Sequence, residues 1–247
     1  MRIPCLRVRS AVVPVVLALL AMATPVMADV ILSATVVNDT LKKMQRLQQA
    51  LGSQTGAARA EALFQLGIEA DGLTSRINDE VAAHGSQEKP LIDLAVDRTR
   101  ELGVVISYDA GKKKFFYDNA AFRQYLVVAS RSAHAAEAAF KLIEGDFFQS
   151  SATDTAAILS AAERKRGFLR QHRAFAAAVE VHMMLSVDYR DLYHHYHSAG
   201  DAANRDRYRD LTRQQLRLLM KSFPDSEQAE IARRMLERFD QQLRGSP

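Results

Sequence analysis

Two amphipathic stretches near the end of the chain are separated by the tetrapeptide Phe-Pro-Asp-Ser at 223–226. Pro224 disfavours the α conformation of the residue before it and cannot donate to a helical hydrogen-bond ladder, so a helix should end there. Asp225 or Ser226 can cap the next helix, and Gln228 stands three residues after Asp225, which is the spacing of a capping box. The tetrapeptide therefore predicts a corner between two helices that fold back on each other.

The rest of the chain shows the same alternation of amphipathic stretches and short breaks of Ser, Asp, Gly or Pro. Trp is absent and the chain is rich in residues with high helix propensity. The period predicts a helix that develops within 30–50 and a longer one over 57–84 that is broken near Gly72. Further helices are predicted over 88–102, 120–130, 134–148, 155–171, 175–198, 202–222 and 226–243. We expect an all-α protein of stacked antiparallel helix pairs.

One segment departs from the helical period. Residues 104–118 contain two short β runs around a turn at 109–111, which predicts a small β-hairpin inserted among the helices. Its second run interleaves basic and aromatic residues that could bind an anionic polymer, a lipid headgroup or a partner strand. Alternatively, and in our interpretation more favourably, Phe115 and Tyr117, or Phe116 alone, anchor the hairpin to the helices. The candidate contact residues are Lys112, Lys114 and Phe116.

The N-terminal 28 residues have the pattern of a secretory signal peptide. Arg2, Arg7 and Arg9 form a positive region ahead of the apolar stretch 11–23, which is short and contains proline, and small residues precede Asp29. We expect cleavage before Asp29 and a periplasmic or secreted mature protein.

Removal of this leader would change the chemistry of the chain. Cys5 is the single cysteine, so the mature protein would have no disulfide, no thiol nucleophile and no cysteine for a lipid anchor. The formal charge would fall from +4 to about +1, because the leader contains three arginines and no acidic residue. We therefore expect no nucleic-acid partner and no transmembrane span in the mature chain.

Three segments, 60–71, 136–147 and 229–240, share an Ala-Glu pair followed by a helical apolar face. The first is similar to the opening helix of a tetratricopeptide repeat, with Leu66 and Gly67 at the Leu-Gly pair of that motif. Residues 208–226 resemble a second repeat helix with its closing proline. The Phe-Pro-Asp-Ser corner resembles the repeats of bacterial envelope proteins such as the outer-membrane assembly lipoprotein and the Tol-Pal coordinator.

The resemblance implies an architecture in which helix pairs stack into a solenoid and bury their apolar faces against neighbouring pairs. The repeats are degenerate: the second segment has Ile143 in place of the motif's Gly and Asp146 in place of its Tyr. We expect an N-terminal helical region over 29–131 that contains the hairpin, followed by repeat-like helices over 132–247.

The sequence contains no Gly-rich phosphate loop, no nucleophile elbow and no metalloprotease motif, so we expect a non-catalytic protein without a cofactor. Stacked helix pairs form long grooves, which favours binding of a protein or peptide partner in the cell envelope. Gln65 and Glu69, on the first repeat-like helix, are candidate contact residues. The cationic run 163–173 could bind an acidic partner or form a solvated helix face.

An alternative function depends on a histidine cluster in the predicted helix 175–198. At helical spacing the Leu and Tyr residues of 185–196 form an apolar arc, and the polar arc opposite could carry metal ligands. Zn, Ni or Cu would suit such a set, but the interpretation that we favour is a solvated or partly covered outer face. The candidate ligands are Asp191, His194, His195 and His197. His182 falls on the apolar arc and is predicted to be a hydrogen-bonded core histidine.

Overall fold

The computed structural model describes residues 32–85, 89–149 and 154–245. The predicted leader lies outside these residues. The described chain forms nine helices and one β-hairpin. The elements are α1 (Ala34–Ser53), α2 (Gly56–His84), α3 (Lys89–Glu101), β1 (Ile106–Asp109), β2 (Lys114–Tyr117), α4 (Ala120–Ala129), α5 (Ala135–Gln149), α6 (Thr155–Gln171), α7 (Ala178–Ser198), α8 (Ala202–Ser222) and α9 (Glu227–Gly245). None of these helices is long and apolar enough to cross a membrane.

Helices that follow each other along the chain pack against each other from α4 to α9, and α1 packs on α2. Some helices two positions apart also touch: α5 contacts α7, and α7 contacts α9. This order of contacts is that of helix pairs piled in sequence, so the predicted all-α fold of stacked helix pairs with one hairpin is confirmed.

The segment 223–226 forms the predicted corner, because it ends one helix and caps the next. Helix α8 ends at Ser222, and the Ser226 hydroxyl accepts a hydrogen bond of 3.1 Å from the backbone N–H of Ala229, so Ser226 is the cap residue. Gln228 does not complete a capping box with Asp225. Its side chain instead reaches across to Glu180 of α7, which ties the last helix to its neighbour but one.

The predicted break near Gly72 is wrong, because α2 runs without interruption from Gly56 to His84. A single glycine costs an α-helix only about 1 kcal/mol, and the apolar residues on both sides of Gly72 outweigh that cost by burying one continuous face. Leu66, Ala70, Leu73 and Ile77 are all buried on that face.

Gly67 allows the closest helix contact of the N-terminal region. A Cβ atom at this position would lie 2.6 Å from the Phe122 ring of α4, and that ring is fully buried and cannot retreat. The glycine that the repeat-like pattern contains therefore has a local packing role: it lets an aromatic ring lie against the backbone of α2.

The hairpin is anchored as predicted for Phe115 and Tyr117. Tyr117 is buried, and Phe115 packs against the N-terminal core. Asn78 of α2 adds a pair of hydrogen bonds, because its amide group donates to the Phe115 carbonyl at 2.9 Å and accepts from the Phe115 N–H at 2.8 Å. Burial raises the pKa of the Tyr117 phenol to about 12, and this group also accepts a hydrogen bond from the backbone N–H of Ala121.

The C-terminal region contains a buried charged pair. Lys165 of α6 and Asp188 of α7 meet at 2.7 Å, with side-chain exposures of 2% and 10%. The ammonium group also lies 5.2 Å from the centre of the Phe147 ring. Burial raises the pKa of Asp188 to about 6 despite the opposing effect of the lysine.

Candidate functional site

Two open recesses in the C-terminal region are lined by arginine side chains and lie on opposite faces of α8. One, which we call the groove, has a volume of about 390 Å³ and lies between α6 and α8 with α7 beneath it. The other, which we call the arginine cleft, has a volume of about 500 Å³ and is formed by α7, α8 and α9. Both volumes fall within the range of ligand sites.

The floor of the groove is apolar. Leu185 and Tyr189 of α7 are buried there, and Leu211 and Leu218 project from α8. Leu218 keeps 43% of its surface exposed. An accessible leucine beside buried apolar side chains gives a partner an apolar surface to cover.

The rim of the groove is cationic. Arg166 and Arg170 stand on α6 and share one carboxylate, that of Glu163, at 3.1 and 3.2 Å. Arg207 stands on α8, where its guanidinium lies 5.4 Å from the centre of the Tyr208 ring. No acidic side chain is among the residues that line the groove. The two arginines of α6 belong to the cationic run 163–173.

The wall of the groove is hydrogen-bonded to the histidine that was predicted to lie in the core. Gln215 lines the groove, and its amide nitrogen donates to Nδ1 of His182 at 2.6 Å. Burial lowers the pKa of His182, which favours the neutral ring that can accept this bond. The predicted hydrogen bond of His182 is therefore present, although the ring is half-buried and not part of the fully buried core.

The arginine cleft contains four guanidinium groups. Arg205, Arg209 and Arg213 follow each other at intervals of four residues along α8, and Arg244 faces them from α9. Tyr193, His197 and Leu243 complete the wall, together with Asp240. Asp240 accepts from Nε of Arg213 at 2.8 Å.

The residues predicted to contact a partner lie in the N-terminal region, away from both recesses. Glu69 pairs with Lys43 of α1 at 3.2 Å, and the Gln65 amide donates to Glu61 at 2.8 Å. Both side chains are half-buried. Both polar side chains are thus engaged by residues of α1 and α2 within the same chain. Their contact with a partner protein stays a prediction.

The hairpin candidates do not form one cluster. Lys112 donates to the Phe148 carbonyl of α5 at 2.7 Å and lies 5.7 Å from the centre of the Phe116 ring, which is half-buried. Burial lowers the pKa of Lys112. Lys114 is exposed. The basic and aromatic side chains thus serve partly to join the hairpin to α5.

The histidine cluster sits on the last two turns of α7. Asp191 pairs with its neighbour Arg190 at 3.0 Å, while His194 and His197 both pack against the Tyr193 ring. Loss of hydration and the charge of Arg190 lower the pKa of His194. His195 completes the predicted set. In residues 32–85, 89–149 and 154–245, no group of three or more His, Cys, Asp or Glu side chains is arranged to hold a metal ion, and the metal site stays a prediction.

No protein-family model matches the chain, and neither a curated protein nor a solved structure shows significant similarity to it. The functional conclusion therefore depends on the geometry of the two recesses and on the pattern of the sequence.

Proposed function

We propose that this protein is an exported, non-catalytic helical adaptor that binds a peptide segment of a protein partner in the cell envelope, and that the groove between α6 and α8 is the seat of that segment. The observation that carries the proposal is the combination of an apolar floor with three arginines at the rim. The export step depends on the signal-peptide pattern of residues 1–28.

The dimensions of the groove favour a short helical segment. Its residues on α8 extend from Arg207 to Leu218, which corresponds to about 16 Å along the helix axis, or roughly three helical turns. An amphipathic helix of that length places apolar side chains at i, i+3, i+4 and i+7 along one side, where they can cover Leu218 and Leu211.

Charge complementarity identifies the polar side of the partner. Three arginines border the groove against the single carboxylate of Glu163, which pairs with two of them from outside the lining. A segment with Asp or Glu flanking its apolar stripe therefore gains charge-assisted hydrogen bonds at the rim. A basic segment would meet like charges. We therefore propose an acidic amphipathic helix as the occupant.

A peptide-display selection tests the proposal. A random library of 16-residue peptides, a length of about four helical turns, is selected on protein purified after expression of the full-length chain. We expect enriched peptides to carry apolar residues at helical spacing together with Asp or Glu. A synthetic peptide of the consensus sequence is then titrated by fluorescence anisotropy against wild type and variants.

Matched variants separate the groove from the general surface. Arg207→Glu and Leu218→Ser should each weaken the consensus peptide by at least about tenfold, a loss near 1.4 kcal/mol. Arg217→Glu and Leu159→Ser change an exposed arginine and an exposed leucine outside the groove and should leave the affinity unchanged. No enrichment, a basic consensus, or equal losses in the control variants would overturn the proposal.

A further inference from the structure

The arginine cleft is a second surface that the peptide-binding proposal does not use. At 100° per residue, Arg205, Arg209 and Arg213 lie within an arc of about 80° on α8, and the groove residues of the same helix lie on the opposite side. The two recesses therefore share α8 as a wall without sharing a side chain.

Three of the four guanidinium groups of the cleft form ion pairs with carboxylates of the same chain. Arg205 donates through Nε to Asp206 at 3.0 Å, and Arg209 donates to both Asp206 and Asp210 at 3.0 Å. Arg213 uses Nε and a terminal nitrogen on one oxygen of Asp240, at 2.8 and 2.7 Å. These ion pairs orient the three forks of α8 in the described structure.

These intramolecular bonds leave donors available. A guanidinium carries five N–H donors, and the ion pairs that each of these three arginines forms with the described residues engage two of its three nitrogens. Arg244 is exposed and lines the cleft, and it forms no ion pair with the residues that the structure describes. Hydrogen bonding to Asp210 raises the pKa of Arg209, and hydrogen bonding from Arg205 lowers that of Asp206, so these groups stay ionised around neutral pH.

The arrangement selects the shape of the anion. Successive arginines on α8 are about 6 Å apart along the axis, and Arg244 approaches from a different helix, so the donors converge from directions that are not coplanar. A planar carboxylate offers two oxygens in one plane, whereas a phosphate group offers three or more oxygens arranged tetrahedrally and can accept from several forks at once.

We infer that the arginine cleft is a binding site for a phosphate group, carried either by a free phosphate, by a small phosphate monoester or by a phospholipid headgroup. Arg209 and Arg244 hold the phosphate from opposite walls. Tyr193 and Leu243 offer a less polar surface to whatever the phosphate is attached to. The inference is independent of the peptide groove, because it depends on different side chains.

Isothermal titration calorimetry with protein purified after expression of the full-length chain tests the site. Inorganic phosphate, glycerol 3-phosphate and citrate are titrated separately, and vesicles with and without phosphatidic acid are compared by co-sedimentation. We expect saturable binding of at least one phosphate compound with a Kd of about 1 mM or tighter, and weaker binding of citrate. The three phosphate arms then identify the source of the group.

Two variants and one control locate the binding. Arg244→Gln should weaken the phosphate compound at least about tenfold, because a charge-assisted hydrogen bond is lost. Arg209→Lys keeps the charge but removes the planar fork, and should also weaken it. Arg238→Gln alters an exposed arginine of α9 outside the cleft and should have no effect.

Three results would contradict the inference. The inference is overturned if none of the phosphate compounds binds saturably, if citrate binds as tightly as phosphate, or if Arg244→Gln and Arg238→Gln behave alike. Circular dichroism of each variant confirms that its helices are intact. Because Arg207→Glu acts on the groove alone, a failure of the peptide proposal leaves this test unaffected.

Discussion

The N-terminal and C-terminal regions of the molecule stabilise their helices in different ways. Helices α1 to α4 and the hairpin share one cluster of buried apolar side chains that extends from Leu32 to Ala138 of α5. The helices from α5 onward divide their buried apolar residues among three smaller clusters. They add a buried Lys–Asp pair between α6 and α7.

Basic residues are also distributed differently. In the sequence, residues 154–245 contain 14 arginines and two lysines, whereas residues 32–149 contain seven of each. Arginine presents a planar fork that suits carboxylate and phosphate groups, and both arginine-lined recesses lie in the C-terminal region. Both proposed binding sites therefore lie in the C-terminal region, where arginine predominates over lysine.

The largest test of this comparison removes one half of the buried pair. Lys165→Met should lower the free energy of unfolding at pH 7 by about 3–5 kcal/mol, because the carboxylate of Asp188 then loses its partner in a buried site. The double variant Lys165→Met/Asp188→Leu should recover most of the loss, and urea denaturation measures both.

The exposed pair Arg98–Glu101 of α3 provides the control, with side-chain exposures of 58% and 62%. Arg98→Met should change stability by less than about 0.5 kcal/mol. If Lys165→Met lowered the free energy of unfolding by as little as Arg98→Met, the buried pair Lys165–Asp188 would not stabilise the C-terminal region.

The second test uses pH. Because burial raises the pKa of Asp188 from 3.8 to about 6, the native protein binds more protons than the unfolded chain between these values. Stability from this group therefore falls as pH rises from 4 to 6, on the order of 2 kcal/mol, and levels off above that. Urea unfolding of wild type minus Asp188→Asn across pH 4–7 isolates the effect. A difference that is flat or rises with pH contradicts it.

The third test examines the N-terminal core through two glycines of α2. Gly67→Ala should lower the stability by about 1–3 kcal/mol, because the added methyl group collides with the Phe122 ring. Gly72→Ala meets no atom within 4 Å and should raise the stability by up to about 1 kcal/mol through helix propensity. Thermal unfolding of both variants measures the effect. Equal changes in the unfolding temperature would mean that the close approach of Gly67 to Phe122 does not matter for stability.

The smallest test concerns the attachment of the hairpin. Asn78→Ala leaves both backbone groups of Phe115 without their partner on α2, so we expect a loss of about 1–2 kcal/mol. Amide hydrogen exchange should accelerate within β1 and β2 first. Asn38→Ala, at an exposed position of α1, should not affect exchange in the hairpin, and an identical response would show that Asn78 does not hold it.

Local chemistry made much of the fold predictable. The predicted helices 155–171 and 202–222 coincide with α6 and α8, because capping side chains and breaks mark their ends. The corner at Pro224 and the hairpin followed from turn residues. The break at Gly72 was mispredicted because the stabilisation of α2 comes from burial against α1 and α4, which a local window does not contain.

The recesses were much less predictable. Their walls combine side chains far apart in sequence, such as Arg209 of α8 with Arg244 of α9. The interval of four residues between Arg205, Arg209 and Arg213 is visible in the sequence and signals a cationic helix face. Tertiary packing decides which neighbouring helix meets that face. For the groove, the cationic run 163–173 indicated only the arginines of α6, because the apolar floor comes from other helices.

The tyrosines of the C-terminal region have an optical consequence. Tyr196 and Tyr208 lie nearly parallel, with planes 7° apart and centres separated by 5.4 Å, and Tyr193 borders the arginine cleft. Since the chain contains no tryptophan, phenol emission is not lost to an indole acceptor, and we expect the paired phenols to give a near-ultraviolet circular dichroism signal. The protein thus carries an intrinsic, label-free spectroscopic reporter beside its proposed binding surface.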